Sequence, residues 1–400
     1  MNETKSTNVL FVSYDGLLDP LGQSQVLPYV LGLTEQGYKF TILSYEKKHR
    51  NKQDIKVLRE FLNKKNIRWY PLTFYIKVGA WKFLMHIFLG IKKLRMICNV
   101  KSFDFVHLRG YVSALIYKTS LLKIPYIYDY RSFTVDEWSE AGTITHGSYY
   151  YKVLKAVDDW ALKDMSALVV LEKGAEILLK KKHSVPNIPV AIIRTSTDCR
   201  RYIDKRQKLP MEEMRFIHLG GVLFPYQVDV VLDFISVFSN SYKNISITFF
   251  NEGQHEQLKE IIDKSPLDST SVIVESVNHN DVPVRLGEFD AGLVFIEPSP
   301  CRQVCSPTKL GEYLAGGLPV VGGKGIDVID EMEEKFGCVY TVDVRDNRVE
   351  ITDKDLKKLY ESIKSESITD LCKKVAEKKF DITIAIDEYS KLYNDIQGES

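Results

Sequence analysis

The densest run of chemically capable residues is IEPSPCRQVCSPTKLGEYLAGGLPVVGG, residues 296–323. Ser306 can cap a helix there, and Pro307 suits its first turn. A helix N-terminus carries partial positive charge, Lys309 adds a full one, and Arg302 lies just upstream. Together they suit a pyrophosphate. Glu312 follows one turn along the same face, where a carboxylate can accept two hydrogen bonds from a ribose diol. The competing reading is an exposed i,i+3 ion pair worth about 0.2–0.5 kcal/mol. Ala315, Gly316 and Gly317 are small enough to let such a helix pack closely on a strand.

A second cluster lies in YDYRSFTVDEWSEAG (128–142), just beyond an apolar run. Asp129, Arg131, Asp136, Glu137 and Glu140 stand there with Phe133 and Trp138. Carboxylates beside an arginine have displaced pKa values and serve as acid, base or sugar-hydroxyl ligand. Aromatic rings there can pack on a sugar face; a solvated loop with local ion pairs is the alternative. Gly22, Gln23 and Ser24 occur where a loop turns into a helix, which offers backbone N–H groups to an anion and a glycine for close approach. A plain turn over 19–22 with Ser24 as cap explains the same residues. The stretch is not GxGxxG, and no Walker lysine follows. Gly220 and Gly221, in HLGGVLFPYQ, are a second place for a backbone to approach phosphate. NHND in 278–281 is a weaker candidate for presenting backbone atoms to a base.

These stretches must be positioned by the elements around them. NVLFVSY (8–14), KFTILSY (39–45), IRWYPLTF (67–74), FDFVHL (103–108), PYIYDY (125–130), ALVVL (167–171) and VAIIR (190–194) read as strands buried on both faces. Helical patterns such as 25–36 and 148–164 lie between them. The charged segment 199–214 breaks the alternation and reads as a linker. Then MRFIHLGG (214–221), SITFFN (246–251), SVIVES (271–276), AGLVFI (291–296), LPVVGG (318–323) and CVYTVD (338–343) repeat the grammar, and 353–397 is helical. The expectation is α/β: two Rossmann-like doubly wound domains, 1–200 and 201–380, facing across a cleft, with a C-terminal helix in 381–400. In such sheets ligands bind beyond the carboxyl ends of the strands.

The chain has 400 residues and a formal net charge of +1, so nothing pulls it globally toward nucleic acid. Six scattered cysteines lack a CxxC pair or a nearby histidine, which favours free thiols in a reducing compartment over a metal site. The N-terminus has no basic-then-apolar leader, and no window is long and apolar enough to span a bilayer. The expected location is cytoplasmic. Residues 61–103 differ from the average: they contain no Asp or Glu, and they interleave Lys64, Lys65, Arg68, Lys77, Lys82, Lys92, Lys93, Arg95 and Lys101 with aromatic residues. That pattern fits peripheral contact with the inner face of an anionic membrane, with single-stranded nucleic acid a weaker alternative and a solvated amphipathic helix the simplest account.

Taken in order, GQSQVLPYVLGL, YDYRSFTVDEWSEAG and SPTKLGEYLAGGLPVV resemble the GT-B glycosyltransferases of family 4, over almost the whole chain. The last is similar to the donor-binding signature of that family, in an SPTK-type form. The resemblance implies an acceptor held mainly by the first domain and a nucleotide-sugar held by the second. It implies a ribose-binding role for Glu312, phosphate contacts for Ser306, Thr308 and Lys309, a C-terminal helix that crosses back to the first domain, and no cofactor or metal. Val304 stands where the first signature glutamate would be, and VLFPYQVD (222–229) lacks the usual Arg and Lys, so Arg302 and Lys309 are expected to supply the charge.

The resulting expectation is a retaining transferase that moves a sugar from a nucleoside diphosphate sugar to a hydroxyl of a glycan or lipid-linked acceptor in bacterial surface polysaccharide synthesis. Asp129, Arg131 and Glu137 would orient acceptor and sugar. Gly22, Gln23, Ser24, Gly220, Gly221, Arg302, Ser306, Thr308, Lys309 and Glu312 would hold the donor. The alternatives are a nucleotide-sugar epimerase of the same shape and an inactive scaffold subunit.

Overall fold

The computed structural model describes residues 7–48, 51–74, 80–202 and 213–398. Most of the expected linker, at 203–212, lies outside the described residues, as do Tyr75 and Lys77 of the basic segment. The chain divides into two compact units: Met1–Arg194 with Ile382–Ser400, and Thr195–Asp381.

In the first unit β1 (Asn8–Ser13), α1 (Pro20–Gln25) and α2 (Leu27–Glu35) lead to β2 (Lys39–Lys47), α3 (Lys52–Lys64), β3 (Arg68–Phe74) and α4 (Ala80–Val100). Then come β4 (Phe105–Arg109), α5 (Gly110–Ser120), β5 (Tyr126–Tyr130), α6 (Thr134–Glu140), α7 (Tyr149–Lys163), β6 (Ala167–Val170), α8 (Lys173–Lys182) and β7 (Val190–Ile192). The second unit runs β8 (Met214–Leu219), α9 (Val228–Ser241), β9 (Ile245–Phe250), α10 (His255–Ile262), β10 (Val272–Glu275), α11 (Val282–Arg285), β11 (Ala291–Val294) and α12 (Thr308–Ala315). It continues through β12 (Val320–Gly323), α13 (Asp327–Lys335), β13 (Val339–Arg345), β14 (Arg348–Glu350), α14 (Asp353–Ile363) and α15 (Ile368–Lys379). The chain closes with α16 (Ile382–Gln397).

Each unit holds a seven-stranded sheet, ordered β3-β2-β1-β4-β5-β6-β7 and β10-β9-β8-β11-β12-β13-β14. All pairings are parallel except β13–β14. The alternation of apolar strands with helices produces this because parallel neighbours need crossover connections, which bury both sheet faces. The central strands β4, β5 and β6 are accordingly buried throughout. The order reverses between β1 and β4 and again between β8 and β11, and the carboxyl ends of those strands are the ligand-binding edge of a doubly wound sheet.

β14 has no counterpart among the sequence expectations. It pairs with β13 through Asp346 and Asn347, both left-handed (φ 49° and 57°), the combination that a two-residue hairpin turn needs. The helix α16 belongs to the first unit, where Ile382, Ala385, Tyr389, Leu392 and Tyr393 join the core around β1 and β2.

Candidate functional site

The helix α12 is fixed by its own residues before any ligand is considered. The Tyr313 hydroxyl accepts from the Leu219 N–H (2.8 Å) and donates to the Ile217 carbonyl (3.2 Å), stitching α12 to β8. Gly292 on β11 lies under the Tyr313 ring, where any β-carbon would overlap it. The cap differs from the expected one: Pro307 is the N-cap residue, and no side chain caps the helix. Ser306 instead exchanges bonds with Thr195, accepting from its N–H (3.3 Å) and offering its own carbonyl to the Thr195 hydroxyl (2.8 Å). The hydroxyl of Ser306 is thus engaged in tying the start of the second unit to α12. Thr308 opens the helix and is half-buried.

Lys309 and Glu312 do not form the surface pair that their spacing permits. Lys309 is 5% exposed, and among the described residues no carboxylate lies within ion-pair distance of its amine. Its Nζ stands 3.7 Å from the Tyr226 ring centroid and 3.3 Å from His218 Nε2. Burial pushes the Lys309 amine down to about 7, with Glu312 pulling it back. Burial raises the Glu312 carboxyl, opposed by Lys309 and Arg201. Among the described residues that carboxylate accepts no hydrogen bond. A cation and an anion one turn apart, each with unspent bonding capacity, suit a phosphate and a ribose diol.

Gly220 adopts φ +80°, a conformation that only glycine takes freely, at the carboxyl end of β8. Two neighbouring backbone donors are already engaged: Gly220 N–H by the Phe250 carbonyl (2.8 Å) and Val222 N–H by Gln254 (3.0 Å). Gly221 packs under the Tyr226 ring, and its carbonyl stands 3.0 Å from His218 Nε2. Arg302 is buried, donates Nε–H to the Glu297 carbonyl (2.7 Å), and lies 4.5 Å from the Phe224 ring centroid. Val304 is buried. Arg201 sits against the loop after β10, with Nη1 3.3 Å from His279 Nε2 and Nη2 donating to the Asn280 side chain.

In the first unit the carboxyl ends of β4 and β5 carry a buried polar cluster. Asp129 is fully buried. Oδ1 faces Arg131 Nη1 (3.4 Å), while Oδ2 faces Arg109 Nη1 (3.5 Å) and His107 Nε2 (3.3 Å) and accepts from the Tyr389 hydroxyl (3.0 Å). Burial would raise its pKa, but Arg131, His107 and Arg109 hold it well below the usual carboxylate range. Four partners thus enclose the carboxylate for which an acid, base or sugar-ligand role was expected from sequence. His107 Nδ1 lies 2.7 Å from the Tyr393 hydroxyl, so two tyrosines of α16 complete the cluster. Arg109 also lies 3.6 Å from Asp15, which follows β1, and so bridges the point where strand order reverses. Glu137 is on α6, half-buried, and is not among the partners of Asp129 or Arg131. Phe133 is in the core, and Trp138 packs edge-on to Tyr111 and Phe83.

The loop after β1 is filled by the protein itself. Glu46 on β2 accepts from the N–H groups of Leu17 (2.7 Å) and Leu18 (3.1 Å), so an internal carboxylate occupies these loop donors, while Gly22, Gln23 and Ser24, expected where the loop turns into a helix, lie within α1. A β-carbon on Gly22 would overlap the Gly16 carbonyl oxygen, so the close approach at this glycine is made by the chain's own loop. Gln23 donates to the Leu17 carbonyl and Ser24 to the Pro20 carbonyl.

Sequence reasoning missed His218, Tyr226, Arg109 and His107. The signal for each was its place at a strand's carboxyl end or in the following loop, but periodicity does not say which such residues face inward. Among the described residues no three His, Cys, Asp or Glu side chains come together as a metal site.

No family model and no curated protein matches this chain. Its structure is similar to sucrose-phosphate synthase from Thermosynechococcus elongatus, with TM-score 0.73 and 11% identity, over 98% of this chain and 100% of that one. It is similar to the lipopolysaccharide outer core galactosyltransferase WaaB, with TM-score 0.59 and 10% identity, over 98% and 100%. It is also similar to a putative UDP-N-acetylglucosamine 2-epimerase from Listeria monocytogenes, with TM-score 0.58 and 10% identity, over 99% and 97%. At these identities the likeness concerns the fold, and the fold of this chain is GT-B: two Rossmann-like units in one polypeptide.

Proposed function

We propose that the chain is a retaining glycosyltransferase of the family 4 type, taking a sugar from a nucleoside diphosphate sugar to a hydroxyl of a glycan or lipid-linked acceptor in bacterial surface polysaccharide synthesis. It would work in the cytoplasm at the inner face of the membrane and without a metal. The observation that carries this reading is α12, where among the described residues a buried Lys309 has no carboxylate at ion-pair distance and the neighbouring Glu312 accepts no hydrogen bond. In this reading the Lys309 ammonium and the start of α12 neutralise the diphosphate, and Glu312 accepts from the ribose hydroxyls. The bond from the anomeric carbon to the diphosphate oxygen breaks, and a bond to the acceptor oxygen forms on the same face. The acceptor proton passes to the departing phosphate oxygen, so no strong protein base is required. Stabilisation of the leaving diphosphate is then the main catalytic term. In this reading Arg109 and Arg131, held by Asp129 at the carboxyl ends of β4 and β5, orient the acceptor together with Glu137 of α6.

A second reading is a nucleotide-sugar epimerase, supported by the likeness to the Listeria monocytogenes structure. Incubation with UDP-, GDP-, ADP- and dTDP-sugars separates the two. A transferase releases nucleoside diphosphate only when a glycan acceptor is added. An epimerase inverts a sugar carbon with no acceptor present. Neither outcome on any donor would leave the scaffold reading in its place.

A further inference from the structure

The helix α4 has 21 residues and so runs about 31 Å along the first unit. It begins after β3, at the carboxyl edge of the sheet, and ends at the amino edge, where Val100 lines one cavity with Lys39 and Arg68, the first residues of β2 and β3. Its two ends differ in chemistry. Near the start, Trp81, Leu84 and Phe88 share one face at i, i+3 and i+7 and are 78%, 60% and 65% exposed. Tyr149, at the start of α7, is 85% exposed, and Tyr150 and Val153 follow it outward. Further along, Lys92 and Arg95 take over the outer face.

Beside the second half of α4 are two adjoining cavities of about 510 and 400 Å³ that share Asn63 and Arg68. Lys39, Arg68 and Lys101 line the first, and Arg59, Arg68 and Lys93 the second. Neither has an acidic residue in its lining. Among the described residues none of these five cations has a carboxylate at ion-pair distance, although nearby Lys65 pairs with Glu35 (3.8 Å) and Lys56 with Glu60 (4.0 Å). Burial and the neighbouring Arg68 and Lys39 charges lower the pKa of Lys101, as clustered cations without a counter-ion must. No described helix is long and apolar enough to cross a membrane.

We propose that α4 docks the first unit on an anionic bilayer at two points: its apolar start enters the interface, while phosphate headgroups occupy the five-cation groove between α3, β3 and α4. Exposed apolar side chains on α4 and a groove of cations beside its second half match the two layers of a lipid surface, the acyl boundary and the phosphate plane. The apolar end lies at the carboxyl edge of the sheet, so docking holds that edge against the membrane from which a lipid-linked acceptor would come. The proposal rests on the membrane contact included in the proposed function and assigns the residues that make it.

The test is co-sedimentation of the full chain with phosphatidylglycerol-containing vesicles and with pure phosphatidylcholine vesicles at low salt. The expected result is binding to the first and little to the second. The combined change Arg68→Gln, Lys93→Gln and Lys101→Gln should weaken binding about a hundredfold, since each cation near such a surface contributes roughly a factor of five. Leu84→Asp with Phe88→Asp should also weaken it, and a tryptophan blue shift on vesicles should disappear in Trp81→Phe. Absence of binding, or equal binding to both lipids, overturns the proposal. So does an Arg68- and Lys101-dependent rise in melting temperature with inorganic pyrophosphate but no vesicle binding, which would make the groove a soluble-phosphate site. Nucleoside diphosphate affinity is measured on the same proteins: vesicle binding without any nucleotide affinity would refute the transferase reading and leave the docking surface standing.

Discussion

Lys309 Nζ lies 3.3 Å from His218 Nε2, and His218 Nε2 lies 3.0 Å from the Gly221 carbonyl. A neutral imidazole nitrogen carries either a proton or a lone pair. If Nε2–H donates to Gly221, Lys309 has no lone pair to donate into; if Nε2 accepts from Lys309, the carbonyl loses its donor. Burial and the Lys309 charge hold His218 well below its usual pKa, so the imidazole is neutral, and among the described residues no carboxylate lies within ion-pair distance of the ammonium beside it.

Stability should therefore rise when Lys309 is removed. The folded pKa of about 7 lies below the ordinary value of 10.5. The unfolded chain thus binds more protons between those values, and stability increases with pH across that window. Below pH 7 the cost of the buried amine is fully present. Lys309→Met should raise the melting temperature by a few degrees at pH 7, with a smaller gain at pH 10, read by calorimetry.

The same substitution should weaken binding of nucleoside diphosphate. A bound diphosphate favours the ammonium form, so binding takes up a proton whenever the free amine is neutral. Affinity should fall as pH rises above about 7 in the wild type and stay flat from pH 7 to 9 in Lys309→Met, by titration calorimetry. A flat wild-type profile would separate Lys309 from the phosphate.

Asp129 presents the opposite case. Replacing it with Asn leaves Arg109 and Arg131 buried without their shared carboxylate, which should cost about 3–5 kcal/mol in chemical denaturation. Its folded pKa is lowered, so its contribution is complete above the unfolded value of about 3.9 and is lost as pH falls below it. Asp129→Asn should remove that part of the acid limb.

Gly22→Ala tests whether the loop after β1 serves the fold or the ligand. The added methyl meets the Gly16 carbonyl and Leu17 Cα, so stability should drop by about 1–3 kcal/mol. The affinity of the folded protein for nucleoside diphosphate should be unchanged.

The two doubly wound sheets were legible because their strands, buried on both faces, form nearly unbroken apolar runs such as ALVV and AGLV. β14 was not, since three residues with one buried position carry no period; only the Asp346–Asn347 turn announces it. At the site, the helix bearing Lys309 and Glu312 was legible from its small residues and its flanking loop. The direction in which those side chains face was not: it depends on Tyr313 fastening α12 to β8 and on Gly292 admitting the ring. Asp129 illustrates the same limit. Its local sequence places it near Arg131, but Tyr389 and Tyr393 arrive from more than 250 residues away and enclose the cluster.

The central claim is that a nucleoside diphosphate binds between Lys309 and Glu312. Its most direct test is calorimetric titration of UDP, GDP and ADP into the wild type, Lys309→Met and Glu312→Gln, each checked for native circular dichroism. The account predicts that at least one nucleotide binds the wild type and that each substitution weakens it by about ten- to a hundredfold, the loss of one charge-assisted contact. Equal affinity in all three proteins, or no binding to any, would contradict it.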